Sequence, residues 1–239
     1  MLSVLMWGVV SHPVWGESIA HDYPQSLPRE LRSLQEAGAE TSSDPQQLVA
    51  LARLYLRLGD DLWTDDAQRM AAYQTGARFA RRALDRNDAN AVAHFLYAAN
   101  TGSAAQLQGL AASARAVPDL KGHIKRALEL QPDHAPSLHM MGRMLEELPW
   151  IMGGNAALAL DHLRRAVAAD PSYAHARLDL AKLYLKRKDP QRARTELETL
   201  LSLPHPDDPY AWTRQYRPEA ERLLMQLTSG ENPNRIETR

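Results

Sequence analysis

One short signature recurs four times along the chain and limits what it can fold into. A bulky residue is followed at the third position by a second large residue, then at once by a small one, then three positions on by a third. The copies are Leu48-x2-Leu51-Ala52-x2-Tyr55, His94-x2-Tyr97-Ala98-x2-Thr101, Leu138-x2-Met141-Gly142-x2-Leu145 and Arg177-x2-Leu180-Ala181-x2-Tyr184. Spacings of three and four place these residues on one face of a helix. Further on, each copy closes with a small–apolar or apolar pair: Ala83-Leu84, Ala127-Leu128, Ala166-Val167 and Leu200-Leu201. Asp88, Pro132 and Pro171 then stop three of the copies. Each copy is therefore read as a helix hairpin. A hairpin exposes an apolar face that it cannot bury alone, so the hairpins must stack.

Bulky, small and aromatic residues in this order on paired helices form the tetratricopeptide (TPR) pattern, whose usual period is about 34 residues. Here the copies begin at 48, 94, 138 and 177, so they are offset by 46, 44 and 39 residues. The second-helix closures align well, so the excess lies inside the hairpins. It is assigned to Asp60–Ala72, to the Ala/Ser/Gly-rich stretch Gly102–Val117, and to Glu147–Asn155. The predicted fold is all-α: a right-handed TPR-like solenoid of about four extended hairpins with a C-terminal capping helix. Residues 1–16 read as a signal peptide, and 17–44 as a lead-in with a first helix over Pro28–Ala39. Residues 45–201 hold the four hairpins, 202–227 a proline-rich linker and the capping helix, and 228–239 a polar tail. Asp44-Pro45 and Asp189-Pro190 are helix starts, with Asp capping free N–H groups and Pro in the first turn, where its missing N–H costs nothing.

Composition excludes several functions. Lys and Arg number 28 against 29 Asp and Glu. A nucleic-acid binder would need a basic surplus to neutralise phosphates. With no cysteine, disulfides, thiolate metal sites and thiol nucleophiles are out of reach. No GxSxG, P-loop or dinucleotide fingerprint occurs. Adjacent Glu146 and Glu147 point about 100° apart on a helix and do not converge for acid–base work. The nine histidines show no His-x3-His or His-Glu-x2-His spacing, and His134 and His139, five apart, fall on different helix faces. The expectation is no enzyme, no metal and no cofactor.

The first 16 residues are mostly apolar (Leu2, Val4, Leu5, Met6, Trp7, Val9, Val10, Val14, Trp15), and Val14-Trp15-Gly16 suits a signal-peptidase cut. The run is shorter than the roughly 20 residues that span a bilayer, so no stable membrane span is expected. A periplasmic location is preferred. The alternative is a cytoplasmic protein whose N-terminal segment packs on the core.

The third copy carries a more specific feature. His139-Met140-Met141-Gly142-Arg143 leads into Glu147-Leu148-Pro149-Trp150 and Gly153-Gly154, then a helix from Ala156 to Ala169 ending at Asp170-Pro171. Tyr97-Ala98-Ala99-Asn100 and Lys121…Ile124…Ala127-Leu128 fit the same scheme. Over roughly Leu48 to Leu227 the chain resembles the periplasmic T component (TatT) of bacterial TRAP transporters, a family related to the eukaryotic regulators of microtubule dynamics. The resemblance implies an all-α domain that docks a partner protein, in the transporter case the periplasmic substrate-binding protein, and that can assemble as a homo-oligomer. The chain departs from those lipoproteins in having no cysteine to acylate.

Two surfaces are candidates for the partner. Equal offsets in a solenoid become neighbours on its concave face. Five residues after each bulky position stand Arg53, Ala99, Arg143 and Lys182, and one residue after it stand Val49, Phe95, His139 and Leu178. A basic row beside an apolar row would suit an acidic peptide or a carboxylate ligand. The competing reading pairs these cations within the chain, Arg143 with Glu146 or Glu147 at helical spacing. The second surface is Leu148, Pro149, Trp150, Gly153 and Gly154. Trp150 is there either a docking knob or, as preferred, a plug folded back into the hairpin. The function expected is a non-enzymatic scaffold. The alternative is a carrier of a small hydrophobic or carboxylate ligand, with Phe95, Gly102–Val117 and Met152 bordering an internal cavity.

Overall fold

The computed structural model describes residues 22–229; the expected cleavage site at Gly16 and the polar tail beyond 229 lie outside them. Helix α1 (Leu27–Glu36) precedes four hairpins. These are α2 (Pro45–Arg57) with α3 (Asp66–Arg86), α4 (Ala91–Gln108) with α5 (Leu110–Leu130), α6 (Ala135–Glu147) with α7 (Ala156–Ala169), and α8 (Ala174–Lys186) with α9 (Pro190–Leu201). A single turn, α10 (Pro209–Ala211), runs through a π-helical turn (Trp212–Tyr216) into the capping helix α11 (Arg217–Ser229). Among the described residues there is no strand, and the architecture is the expected TPR-like solenoid.

The local signals act as their chemistry dictates. The Asp44 carboxylate accepts from Gln46 N at 2.9 Å and that of Asp189 from Arg192 N at 3.1 Å, each just before a first-turn proline. Asn155 caps α7 by accepting from Ala157 N and Leu158 N. The excess residues of the second hairpin differ from a loop-like insertion. They lengthen both helices, so that α4 and α5 meet at the single residue Gly109. Pro118 lies inside α5 and removes one backbone donor. The helix continues because Ala112 on one side and Leu120, Ile124 and Ala127 on the other are buried against its neighbours. In the first hairpin a π-helical turn, Leu58–Leu62, precedes a short connection, and α3 begins at Asp66, inside the Asp60–Ala72 stretch that holds the excess.

Small residues stand where helices meet. Ala52, Ala98 and Ala181 are fully buried, as are Ala83, Ala127 and Ala166. At Gly142 even a methyl group would lie 2.8 Å from Leu163 Cγ and 3.3 Å from the Ala159 carbonyl. Buried side chains form a small cluster of Leu27, Leu54 and Leu58, a second through α2–α4 and a larger third from Ala98 to Leu223. Half-buried Phe95 packs against the second and third and joins them.

The register makes a direct prediction. Ala127→Leu should overpack the second hairpin and cost about 1–3 kcal/mol, read as a lower urea midpoint with an unchanged slope. An unchanged midpoint would contradict the close approach at this position.

Candidate functional site

The solenoid curves far enough that its ends touch. Tyr210 Oη donates to the Asp61 carbonyl at 3.4 Å across 149 residues of chain. The Tyr23 ring packs edge-on against Tyr210, with centroids 5.0 Å apart. Tyr23 also donates to the Asp61 carboxylate, and the Arg57 guanidinium lies over its ring. On the other side, the Asp207 carboxylate accepts from Ala174 N at 2.9 Å, and Trp212 Nε1 donates to the Leu200 carbonyl at 3.2 Å. The proline-rich linker is thereby tied to both the first and the last hairpin and closes the arc between them.

Carboxyl groups crowd this closure. Asp60 is reached by solvent, yet the surrounding protein desolvates it and pushes its pKa up to about 6. Nearby Asp61 and Asp208 add to the rise, while the 2.7 Å hydrogen bond from Tyr73 Oη and the charge of Arg69 oppose it. Burial also raises Asp61 and Asp207.

The expected basic row is largely neutralised inside the chain. Arg143 Nε donates to Glu147 Oε1 at 3.1 Å, and Nη1 lies 3.6 Å from Asp179 Oδ2. Lys182 Nζ lies 3.5 Å from Glu219 Oε1 on the capping helix. Arg53 alone of the three has no carboxylate partner among the described residues, and burial, reinforced by Arg57, lowers its pKa. The apolar row is interrupted as well. Leu178 is 3% exposed and belongs to the core, and Phe95 is half-buried with its ring edge-to-face against His134 at 5.4 Å. Ala99 is half-buried.

His139 is buried in a hydrogen-bonded cluster that the repeat spacing does not reveal. Its Nδ1 meets Tyr173 Oη at 3.0 Å and its Nε2 meets Asp179 Oδ2 at 2.8 Å. His175 Nε2 lies 3.4 Å from the same carboxylate oxygen. The His175 ring stacks on Tyr216 with centroids 4.8 Å apart and meets His139 at 4.5 Å. Burial, with His139 alongside, drives the His175 pKa down to about 3. Burial works to raise Asp179, but the hydrogen bond from His139 and the neighbouring charges outweigh it and hold the carboxyl at about 2. The sequence does hold a signal: His175 and Asp179 are four apart and so share a helix face. A search for His-x3-His passes over this pair.

The Trp150 loop does not plug the hairpin. Leu148–Gly154 forms a 3-10 turn (Trp150–Met152) and a glycine turn. Gly153 sits at φ +85°, a left-handed conformation, and a Cβ at Gly154 would fall 1.8 Å from the Leu148 carbonyl oxygen. Gly154 N donates to the Pro149 carbonyl at 3.0 Å and Asn155 N to the Leu145 carbonyl at 2.8 Å. On this turn Trp150 is 84% and Ile151 71% exposed. Met152 and Leu158 are exposed as well, at 39% and 50%.

The profile of the family described as Regulator of microtubule dynamics protein 1-3 matches residues 20–152, more than half of the chain. The chain belongs to this family. A tetratricopeptide repeat profile matches residues 151–214. Among the family's characterised relatives, Regulator of microtubule dynamics protein 1 of Bos taurus is 28% identical over 77% of this chain and 62% of its own length. The Homo sapiens protein of the same name is 27% identical over 69% of this chain and 56% of its own length. The chain thus spans less than two thirds of these relatives. A thermophilic TPR protein of Thermus thermophilus superimposes with a TM-score of 0.60 over 86% of this chain and 90% of that one, at 16% identity, which shows the shared fold. The family membership agrees with the eukaryotic side of the resemblance noted above.

The closure makes a pH prediction. The native pKa of Asp60 lies above the ordinary value of about 3.9. Its contribution to stability is therefore fully present below about pH 4 and is lost as the pH rises through about 6. Asp60→Asn should then gain urea stability relative to wild type on going from about pH 4.5 to about pH 7. The same wild-type-to-variant difference at both pH values would contradict the raised pKa.

Proposed function

We propose that this chain is a non-enzymatic scaffold that binds a partner protein and that the Trp150 loop is its anchoring contact. The observation that carries this reading is a large aromatic side chain, 84% exposed, held out on a turn fixed by two backbone hydrogen bonds. Trp is favoured at binding hot spots, and a preorganised loop loses little entropy on docking. Contiguous exposed apolar groups rimmed by polar residues are the usual mark of a docking surface. The TPR architecture is consistent with such a role. The concave face supplies a second contact through Arg53, Phe95 and Ala99. Arg143 and Lys182 contribute less, because each already has a carboxylate partner.

In this reading the protein works in the periplasm, its mature chain begins near Glu17, and its partner is a TRAP-type substrate-binding protein. These three points rest on the apolar run of the first 16 residues and on the LP-x3-GG loop. No described helix is long and apolar enough to cross a membrane. The carrier alternative requires an enclosed apolar cavity. The groove beside the Gly102–Val117 stretch, about 670 Å³, instead opens to solvent and includes Arg78, Arg115 and Asp119 in its walls.

A photo-crosslinking residue at position 150, introduced in the native host, should capture the partner, and the purified partner can then be titrated. Trp150→Ala should weaken binding by about thirtyfold or more, the hot-spot range, with helicity intact. Arg53→Gln should instead flatten the salt dependence. Wild-type affinity in Trp150→Ala would contradict the anchoring role.

A further inference from the structure

We propose that His139, His175 and Asp179 form a binding site for a divalent transition-metal ion, Zn²⁺ foremost. The site is built from two hairpins. His175 and Asp179 are four apart on α8 and project to one side, and α6 brings His139 against them. One ligand atom from each, two imidazole nitrogens and a carboxylate oxygen, lie within 4.8 Å of one another. Bonds of about 2.0–2.2 Å in a tetrahedral zinc site place ligand atoms roughly 3.3 Å apart. The observed separations from Asp179 Oδ2, 2.8 Å to His139 and 3.4 Å to His175, bracket that figure. Drawing the third edge together requires His175 to turn toward His139.

The surroundings are those a metal site needs. His139 Nδ1 is held by Tyr173 Oη at 3.0 Å, which orients the ring with Nε2 toward Asp179. A tyrosine hydroxyl can both donate and accept. It therefore serves the tautomer in which Nε2–H donates to Asp179 and equally the one in which Nε2 is free to bind an ion, so no proton need leave His139. The His175 ring is flanked by Tyr216 of the closing segment, with centroids 4.8 Å apart. The His175 side chain is 32% exposed while those of His139 and Asp179 are nearly covered, giving an entry path on one side. Two imidazoles and one carboxylate suit Zn²⁺ and its neighbours and are poor ligands for Mg²⁺ or Ca²⁺, which prefer all-oxygen shells. Three protein ligands leave a fourth position for water or for a side chain of a bound partner. Arg143 is the competing cation. It approaches Asp179 at 3.6 Å but holds Glu147 as its own carboxylate, so it can yield Asp179 to an ion.

The test is a Zn²⁺ titration of the full chain, freed of any histidine tag, by calorimetry against a competing chelator, with Mg²⁺ as control. Co²⁺ absorption reports tetrahedral geometry. Wild type should bind one Zn²⁺, and His175→Gln and Asp179→Asn should each weaken it by at least about tenfold. Arg143→Gln should tighten it. Far-UV circular dichroism confirms folding, and His175→Gln, at a partly exposed position, decides alone if Asp179→Asn unfolds. Absence of binding to wild type up to about 100 µM Zn²⁺, or wild-type affinity in His175→Gln, would overturn the site.

Discussion

A helix hairpin with one apolar face has nowhere to bury it except against the next hairpin, and the architecture of this protein depends on that constraint. Stacking requires the helix backbones to approach closely, which only small side chains permit. Ala52, Ala98, Gly142 and Ala181 on the first helices and Ala83, Ala127 and Ala166 on the second meet that requirement, six of them fully buried and Gly142 without room for a methyl. Interiors packed to crystal density transmit such choices through the whole stack. The pitch set at these contacts carries the C-terminal linker round until Tyr210 reaches Asp61.

Closure gives the concave wall its chemistry. It sets Tyr216 against His175, Tyr210 against Tyr23, and a group of aspartates near one another at the junction. Polar side chains facing one another across a desolvated concavity must satisfy each other, because water cannot do so fully. The His139–Asp179–His175 cluster and the pairing of Lys182 with Glu219 are consequences. They also explain why the inner face is not a strip of unpartnered charge.

The architecture is legible in the sequence because it is written in local spacing and in small residues, both properties of neighbours along the chain. Helix starts at Asp44-Pro45, Asp189-Pro190 and Asn155 are legible for the same reason. The groove is less so. Equal offsets identify which residues share a face, but not that Glu147 and Glu219 reach Arg143 and Lys182, nor that Leu178 is consumed by the core. Those are tertiary outcomes. The Trp150 loop departs from the expected plug, with Trp150 84% exposed, because whether a loop packs back is decided by tertiary contacts and not by local spacing. The extra length of the second hairpin reads as an insertion and forms helix, since alanine-rich sequence extends a helix at little cost.

The stacked hairpins curve until the two ends of the fold meet. The chain has no cysteine, so cysteines introduced at the exposed residues Thr64 and Thr213 can carry spin labels without a background. Each lies three residues from the contact of Asp61 with Tyr210, and three residues span at most about 11 Å. A pulsed electron–electron distance measurement should then give one narrow distribution below about 45 Å, label linkers included, which broadens when Tyr210 is replaced by alanine. A broad or longer distribution in the otherwise native chain would mean that the arc is open, and would contradict this account of the concave face.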